Sequence, residues 1–393
     1  MLKCRDPIYQ LYASLSPEVR ECVDQAFESI LTAKQKGGKI VVVTGSGPNI
    51  HEGVTTLIAE MIHKGIIDGV TTSSAVIAHE MAGTLEKVRR VNGLELGLPK
   101  NMLPRGNTFE ITLMNDEQLY DLQTEMSINL DLFTRAKSLP GDEIIKAAGN
   151  MAYPLGLRTE ELAKDILQIA KRQNVSFENI AGAGADRMTM IGAAHQADIP
   201  CLVTVPQLIG GGRVGIAVAD SISILQRTSE IARMISDADV IIESAVALTQ
   251  EIHDGPFEVY TGHGIWSQWN GTPTYSLQDK ILIRIDLDPN LKKAWESERT
   301  SSRVQQAINQ GLPKTKIMDI PFRMEMSGFA RLEHSLPVVG DIGVIWPILA
   351  CKLEESLNIE FDFMSYPQQT PEGKKMREWI VDHVRPVQKE KLV

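Results

Sequence analysis

The stretch KIVVVTGSGPNIHEGVTTLIAEMIHKGIIDGVTTSSAVIAHE, residues 39–80, decides the fold class of this chain. Residues 40–43 are apolar and β-branched, which predicts a short strand that is buried on both faces. Residues 54–64 place apolar side chains at helical spacing, and Gly65 predicts the end of that helix. A second apolar run at residues 66–70 predicts a parallel strand. The stretch therefore predicts one βαβ unit.

Small residues follow both predicted strands of this unit. They are Gly45, Ser46 and Gly47 in the first turn, and Thr72, Ser73 and Ser74 in the second. Turns of this kind at adjacent strand ends let an anionic nucleotide approach the backbone and a helix N-terminus. The first turn lacks the third glycine of GxGxxG, and no Gly-Lys-Ser/Thr follows, so a purely structural turn is the alternative. The pattern favours a dinucleotide as the first ligand to consider.

Composition narrows the class of protein. The chain has 393 residues, 43% of them hydrophobic and 23% charged, which is typical of a globular protein with a large core. A net charge of −10 argues against nucleic acid or an anionic membrane as a partner, and it weakly favours a cationic substrate. The four cysteines form no CxxC pair, and we find neither a signal-peptide pattern nor an apolar run of membrane length. We therefore expect a cytoplasmic protein in a reducing compartment.

Strands and helices alternate along most of the chain. At least six predicted strands, nearly all followed by helices, indicate one α/β domain over residues 1–393 with a single twisted, mainly parallel sheet and helices on both faces. Residues 179–184 are predicted to end a short strand, and residues 220–236 to form one long helix. Residues 89–150 break the pattern and are interpreted as an insertion or lid. Residues 255–275, rich in glycine and aromatic side chains, are interpreted as a functional loop.

Further candidates follow other predicted strands. Gly211 and Gly212 could bring backbone N–H groups to a ligand, or simply form a connector. Asp286 ends a predicted strand where an acid can accept both ribose hydroxyls, the alternative being a surface acid. Asp341 starts a turn into a helix, for which an N-cap is the simpler interpretation.

Two groups of residues are candidates for proton transfer. His79 is followed by Glu80, and a carboxylate beside a histidine attracts cations and raises the histidine pKa; a partly buried structural histidine is the alternative. His253, Asp254 and His263 lie in the loop after the strand predicted at residues 240–245, followed by Trp266 and Trp269. Their spacing matches no metal motif, so no metal is predicted. The sequence contains no GxSxG, no HExxH and no kinase motif set, which leaves acyl transfer, zinc proteolysis and ATP-driven phosphoryl transfer without support.

Three blocks resemble the deoxyhypusine synthase superfamily. They are TGSGPNIHEGVTTLIAEMIHKGIIDGVTTSS at residues 44–74, ADIPCLVTVPQLIGGGRVG at residues 197–215 and PVVGDIGVIWPILACKLEE at residues 337–355. The resemblance implies NAD as cofactor, held by Gly45, Ser46, Thr72, Ser73 and Asp341. It also implies a homo-oligomer, a dimer or tetramer, with sites between subunits.

One departure argues against the synthase activity itself. The synthase carries its aminobutyl group on a lysine in a Trp-Gly-Lys-Ile segment, whereas residues 326–331 here read MSGFAR and contain no lysine. Lys280 is the only substitute that the sequence offers.

A sister family is more similar: the NAD-dependent ornithine cyclodeaminases, which also form the C-terminal part of some arginine dihydrolases. SAVIAHE at residues 74–80 is similar to that family's Asn-Ala-x-Ala-x-His-Asp block, and ADVII at 238–242, IDLDP at 285–289 and VGDIG at 339–343 follow in the same order. The resemblance implies an enzyme, a lyase or related oxidoreductase, that oxidises an amine or basic amino acid with NAD, loses ammonia and returns the hydride. His79 would carry the proton and Glu80 would orient it, with Asp254 and His263 in the substrate pocket. An alkylamine transferase, a net dehydrogenase and a non-catalytic NAD-binding module are the alternatives.

Overall fold

The computed structural model describes residues 5–45, 47–149, 151–245, 271, 275–312, 317 and 332–392. Its strands, in chain order, are β1 (Ile40–Thr44), β2 (Gly69–Thr72), β3 (Leu85–Asn92), β4 (Thr108–Thr112), β5 (Asp142–Ala147), β6 (Cys201–Val203), β7 (Val240–Ser244), β8 (Ile281–Asp286) and β9 (Ser335–Val339). Its helices are α1 (Asp6–Ser14), α2 (Pro17–Gln35), α3 (Pro48–His51), α4 (Val54–His63), α5 (Ser74–Met81), α6 (Asp116–Glu125), α7 (Leu130–Ser138), α8 (Leu155–Gln173), α9 (Phe177–Gly184), α10 (Met190–Ala197), α11 (Arg213–Ser221), α12 (Ile224–Ser236), α13 (Asn290–Thr300), α14 (Ser302–Asn309), α15 (Ile342–Leu357) and α16 (Pro371–His383). Three short 3₁₀ turns lie at Lys100–Met102, Val205–Gln207 and Lys389–Lys391.

Six strands form one parallel sheet in the order β6-β2-β1-β7-β8-β9. Counted within the sheet, this is the 3-2-1-4-5-6 order of doubly wound dinucleotide-binding folds. The order reverses between β1 and β7, which run in register from Ile40 opposite Val240 to Thr44 opposite Ser244. The expected mainly parallel α/β fold is confirmed.

Both faces of this sheet are covered, as its apolar strands predict. Ile40 and Val42 pack in a core cluster with Trp346 of α15, whereas Val41 and Val43 pack in a second cluster with Ile235 of α12. Successive strand residues point to opposite faces, so an uninterrupted apolar run such as residues 40–43 requires helices on each side.

A second sheet departs from the expectation of a single one. Strands β3, β4 and β5 pair antiparallel in the order β4-β3-β5, and α16 packs against β3 and β5. This sheet has a small core of its own, built by Val91, Leu96, Ile111 and Ala136. The region interpreted as an insertion at 89–150 is therefore ordered structure that begins at Leu85. Long connections and charged residues within β3 hide its strand pattern in the sequence.

Two local expectations were wrong. Residues 179–184 belong to α9, because Ser176 caps this helix by accepting a hydrogen bond from Asn179 N and Phe177 and Ile180 face the core. The predicted single helix over residues 220–236 is divided between α11 and α12, since Ser223 caps a new helix through Gln226 N. Within the described part of the chain, no helix combines the length and apolar character needed to span a membrane.

Candidate functional site

The carboxyl ends of all six parallel strands meet at one edge of the main sheet. Most predicted cofactor residues lie there, namely Gly45, Gly47, Thr72, Ser73, Ser74, Gly211, Gly212, Asp286 and Asp341. Ser46 is outside the described residues. The parallel sheet thus brings together turns that are far apart in the sequence.

The turn after β1 leaves room for a ligand. Gly47 has φ +65°, and apart from its two chain neighbours no atom of the described residues lies within 4 Å of the position that a Cβ would occupy. Helix α3 that follows has only four residues, and Gly53 then starts α4. The predicted helix is therefore preceded by a separate short turn, and a helix dipole contributes little at this point.

A buried polar network fixes the two strand ends at the reversal of strand order. Asn49 Nδ2 donates to Gly45 O at 3.2 Å and to Ser244 O at 3.0 Å. Ser244 Oγ donates to Asn49 Oδ1 and accepts from Trp346 Nε1 at 2.8 Å. Sequence reasoning missed these residues, because the three side chains meet only through the pairing of β1 with β7 and the packing of α15.

Side chains at the end of β2 and the start of α5 serve the fold. Thr72 Oγ1 lies 3.0 Å from Thr44 Oγ1, and Ser73 Oγ accepts from Val76 N at 3.2 Å as the N-cap of α5. Ser74 is fully buried beneath the loop that contains Gly210. Since all three predicted side chains are buried, a cofactor at this turn would be bound by the backbone at the N-terminus of α5.

The glycines after β6 permit close packing of their loop against α5 and α8. A Cβ on Gly211 would lie 2.9 Å from both Ala78 Cβ and Ser74 O, and a Cβ on Gly212 would lie 2.1 Å from Glu160 Oε1. A larger residue at position 211 would clash with the backbone of α5, whereas one at position 212 would be strained by its φ of +63° and would displace the Glu160 side chain.

The two predicted aspartates have local partners. Asp286 accepts from Asp288 N at 3.0 Å and from the Arg284 guanidinium at 3.3 Å. Asp341 accepts from Gly343 N at 2.9 Å and caps α15, as the simpler interpretation predicts. Carboxylate oxygens have several lone pairs, so these contacts leave capacity for a ligand hydroxyl.

His79 is held in one tautomer. Its Nδ1 faces Ala148 O, and a carbonyl only accepts, so Nδ1 carries the proton and Nε2 the lone pair. Burial lowers the pKa of His79, and Lys146 lowers it further against the opposing effect of the Ala148 carbonyl. The ring is therefore neutral at pH 7, with Nε2 able to accept a proton.

Glu80 does not serve as the partner of His79. It is completely buried, and its two carboxylate oxygens accept from Met190 N at 2.9 Å and Ile191 N at 3.0 Å, at the start of α10. Burial raises the pKa of Glu80 to about 7, against the effect of these two N–H groups. Side chains of successive residues in a helix point about 100° apart, so His79 and Glu80 face different directions.

A second histidine beside this site was missed by the sequence reasoning. His51 of α3 accepts through Nδ1 from the Arg377 guanidinium at 3.3 Å, and Arg377 also donates to Ile145 O. Burial lowers the pKa of His51 to about 4, with contributions from Arg377, His79 and Lys146. We call His51, His79, Lys146 and Arg377 the histidine cluster. No local sequence motif indicates this cluster, since its members come from α3, α5, β5 and α16.

Other predicted candidates cannot be placed. Asp254, His263, Trp266 and Trp269 lie outside the described residues, as does most of the loop at 255–275. Among the residues that are described, no group of three or more His, Cys, Asp or Glu side chains is arranged to hold a metal ion. A groove of about 760 Å³ lies at the opposite edge of the sheet, beside Ile281 and Ser335 at the starts of β8 and β9. It is remote from the strand ends where ligands bind to folds of this type.

Comparison with known proteins gives matches only among solved structures. No protein-family model matches this chain, and no curated protein matches it significantly in sequence. AgrE, solved as a ternary complex with ornithine and NAD⁺, aligns at 13% identity and a TM-score of 0.42 over 88% of this chain and 34% of AgrE. A putative deoxyhypusine synthase from Entamoeba histolytica aligns at 9% identity and 0.41 over 88% of this chain and 92% of its own.

A third match is a putative LOR/SDH protein from Methanococcus maripaludis S2, at 13% identity and a TM-score of 0.39 over 88% of this chain and 70% of that one. This chain spans about a third of the length of AgrE. The solved structures that align with this chain include an arginine dihydrolase and a putative deoxyhypusine synthase.

Proposed function

We propose that this chain is an NAD-dependent enzyme that acts on an amine or basic amino acid by redox chemistry internal to the substrate. The observation that carries the proposal is the reversal of strand order between β1 and β7, with small-residue turns at the ends of β1, β2 and β6. Open α/β sheets bind nucleotides in the crevice outside such a reversal. The motif resemblance to ornithine cyclodeaminases supports the amine substrate.

The turns fit a dinucleotide through their backbones. Gly47 leaves open space above its Cα, and Ser73 starts an eight-residue helix whose N-terminus favours phosphate. Asn49 and Ser244 hold the ends of β1 and β7 together, so the crevice would be preorganised. Asp286 is proposed to accept the ribose hydroxyls. When bound, NAD supplies the acceptor and later the donor of a hydride.

His79 is proposed to move the substrate proton. Its Nε2 lone pair can accept a proton from a substrate ammonium, which frees the nitrogen lone pair that oxidation of an amine requires. The Ala148 carbonyl keeps the opposite nitrogen protonated and the ring in place. Glu80 contributes by joining α5 to α10, and Asp254 and His263 remain proposed pocket residues.

The transferase alternative lacks a suitable lysine among the described residues near the histidines. Lys280 directly precedes β8, at the amino edge of the sheet, opposite the proposed crevice. Lys146 does lie in the histidine cluster, but its ammonium pairs with Glu110. An amine must be deprotonated to act as a nucleophile, so this ion pair opposes a covalent role for Lys146.

Native mass spectrometry of the purified protein tests the cofactor and the proposed homo-oligomer together, because it reports bound NAD and the number of subunits. Turnover is then tested with NAD⁺ and a panel of basic amino acids and diamines, following ammonia release and reduced-nicotinamide absorbance. We expect ammonia without net accumulation of NADH. Accumulation of NADH would indicate a net dehydrogenase, and binding of NAD without any turnover would indicate a binding module.

A matched pair of variants tests the proton carrier. His79→Gln should reduce turnover about 100-fold or more, the usual range for loss of a general base. His195→Gln, at an exposed position of α10, should leave turnover unchanged. Equal activity of the two variants would remove His79 from the mechanism.

A further inference from the structure

The two histidines of the cluster present opposite hydrogen-bonding capacities. A guanidinium only donates, so the contact with Arg377 makes His51 Nδ1 an acceptor and leaves the proton on Nε2. His79 has the reverse tautomer, with the proton on Nδ1 and the lone pair on Nε2. In both rings Nε2 has no hydrogen-bond partner among the described residues. One ring can therefore donate to a ligand while the other accepts from it.

Both rings are fixed against the same segment. Arg377 joins His51 to Ile145 O, and His79 bonds Ala148 O three residues further along. Lys146 lies between these contacts and acts electrostatically on both rings. Because His51 belongs to α3 and His79 to α5, the cluster lies near the turns after β1 and β2, which these helices follow.

His51 stays neutral because it is partly buried and faces positive charge. Arg377 on α16, Lys146 on β5 and His79 on α5 all oppose its protonation, and burial adds to their effect. A neutral imidazole held as an Nε2–H donor cannot compete for the substrate's proton, but it can donate to an anionic oxygen. The Arg377 guanidinium favours an anion at the same place, whereas the Lys146 ammonium is paired with Glu110.

We infer that His51 is a specificity-determining residue that donates its Nε2–H to the carboxylate of the substrate, with His79 accepting from the substrate's ammonium. The inference rests on the proposed function and narrows it to substrates with an α-carboxylate. Arg377 acts as a positioning residue that sets the tautomer of His51. A diamine, which has no carboxylate, would leave the His51 donor unpaired.

Equilibrium binding tests this inference without requiring turnover. Calorimetry would compare L-ornithine with 1,4-diaminobutane, its decarboxylated counterpart, and L-lysine with 1,5-diaminopentane. We expect the native protein to bind each amino acid at least 10-fold more tightly than its diamine. His51→Leu should reduce that ratio to about 1, whereas His51→Gln, which keeps an N–H donor, should retain much of it.

His195→Leu, at an exposed position, serves as the control and should leave the ratio unchanged. Thermal unfolding of each variant would verify that it is folded. The preference should also be constant from pH 5 to pH 8, since His51 is neutral throughout this range; a preference that falls as pH rises through 6.5 would mean a charged imidazolium and contradict a neutral donor.

A native protein that binds the diamines as well as the amino acids would overturn the inference, as would an unchanged ratio in His51→Leu. The proposed function fails on a different result, namely no binding of NAD in a separate titration.

Discussion

Two parts of the candidate site lie side by side but are held in place differently. In the turn after β2, Ser73 Oγ caps Val76 N, three residues away. In the segment at 145–149, Gly149 N is held by Glu86, 63 residues away, and Ile145 O by Arg377, 232 residues away. The turn after β2 is thus capped by a neighbouring residue. The turn after β1 depends on the pairing of β1 with β7, and the histidine cluster depends on the second sheet and on α16.

This difference predicts that binding and proton transfer can be separated by mutation. Changes in the turns should weaken NAD binding, and changes that release the 145–149 segment should reduce turnover with little effect on NAD. Five predictions test the comparison, beginning with the largest expected effect.

Glu86→Ala should release the 145–149 segment, which is held by residues far away in the sequence. Glu86 is buried and accepts from Thr112 Oγ1 at 2.6 Å and Gly149 N at 3.1 Å, so its loss leaves two buried donors unpaired. We expect the free energy of unfolding to fall by about 2–4 kcal/mol and turnover to fall as Ala148 shifts, with NAD affinity unchanged. Urea unfolding, NAD titration and the ammonia assay measure these quantities. Glu143→Ala, an exposed acid on β5, should change none of them; if it matches Glu86→Ala, the second sheet has no specific role.

Ser244→Ala should affect the turns at the reversal of strand order. It leaves Asn49 Oδ1 and Trp346 Nε1 without their common partner in a buried site. We expect a loss of about 2 kcal/mol in unfolding free energy and weaker NAD binding. Ser229→Ala, at an exposed position of α12, is the control. Full NAD affinity in Ser244→Ala would show that this network is dispensable for the cofactor.

Gly47→Ala should distinguish the effect of backbone strain on stability from an effect on NAD binding. The backbone of Gly47, with φ +65° and ψ −101°, lies outside the regions open to residues with a Cβ, so the substitution should cost about 1–3 kcal/mol. Gly65→Ala, with φ +68° and open surroundings, is also strained but lies far from the carboxyl edge. We expect weaker NAD binding in Gly47→Ala alone, measured by calorimetry. Equal NAD affinity in the two variants would place the cofactor away from the turn after β1.

The pH dependence of stability provides a fourth test. The native pKa of His51 is about 4, against 6.5 for an unperturbed ring. The unfolded chain therefore binds a proton between pH 6.5 and 4 that the native chain excludes, and stability falls as pH decreases through this window, by at most about 1.4 kcal/mol per pH unit. His51→Gln should lose less stability than the native protein between pH 7 and pH 4.5 in urea unfolding. An identical pH profile would mean that the pKa of His51 does not differ between the native and unfolded states.

Glu80 and Glu86 should have the opposite effect to His51, because they make stability fall as pH rises. Burial raises the pKa of each to about 7, so each native carboxyl keeps a proton that the unfolded chain releases above about pH 4.5. Their contribution to stability is lost as pH rises from 4.5 through 7. Glu86→Gln should therefore reduce the loss of stability between pH 4.5 and pH 7 in urea unfolding.

Sequence reasoning recovered the features that depend on neighbouring residues. The apolar run of β1, the turn at Gly45 and Gly47 and the cap at Asp341 are each readable within a few positions, because backbone preferences and strand burial act over that range. It also indicated that the strand ends meet at one edge, since parallel strands joined by helices must all run in one direction.

The sequence did not reveal contacts between distant elements. Glu80 follows His79 directly, yet its carboxylate binds α10, and His51 acquires its tautomer from an arginine in α16. The antiparallel sheet from Leu85 to Ala147 was hidden for the same reason, because its pairing joins strands across long connections.

By itself, the sequence determined a parallel α/β sheet with small-residue turns at its strand ends, since periodicity and turn chemistry are properties of short segments. Only the tertiary structure decided which ring nitrogen of His51 and of His79 carries the proton, and that the Glu80 carboxylate is buried against α10. Hydrogen-bond partners and burial fix those states, and both come from residues that meet only when the chain has folded.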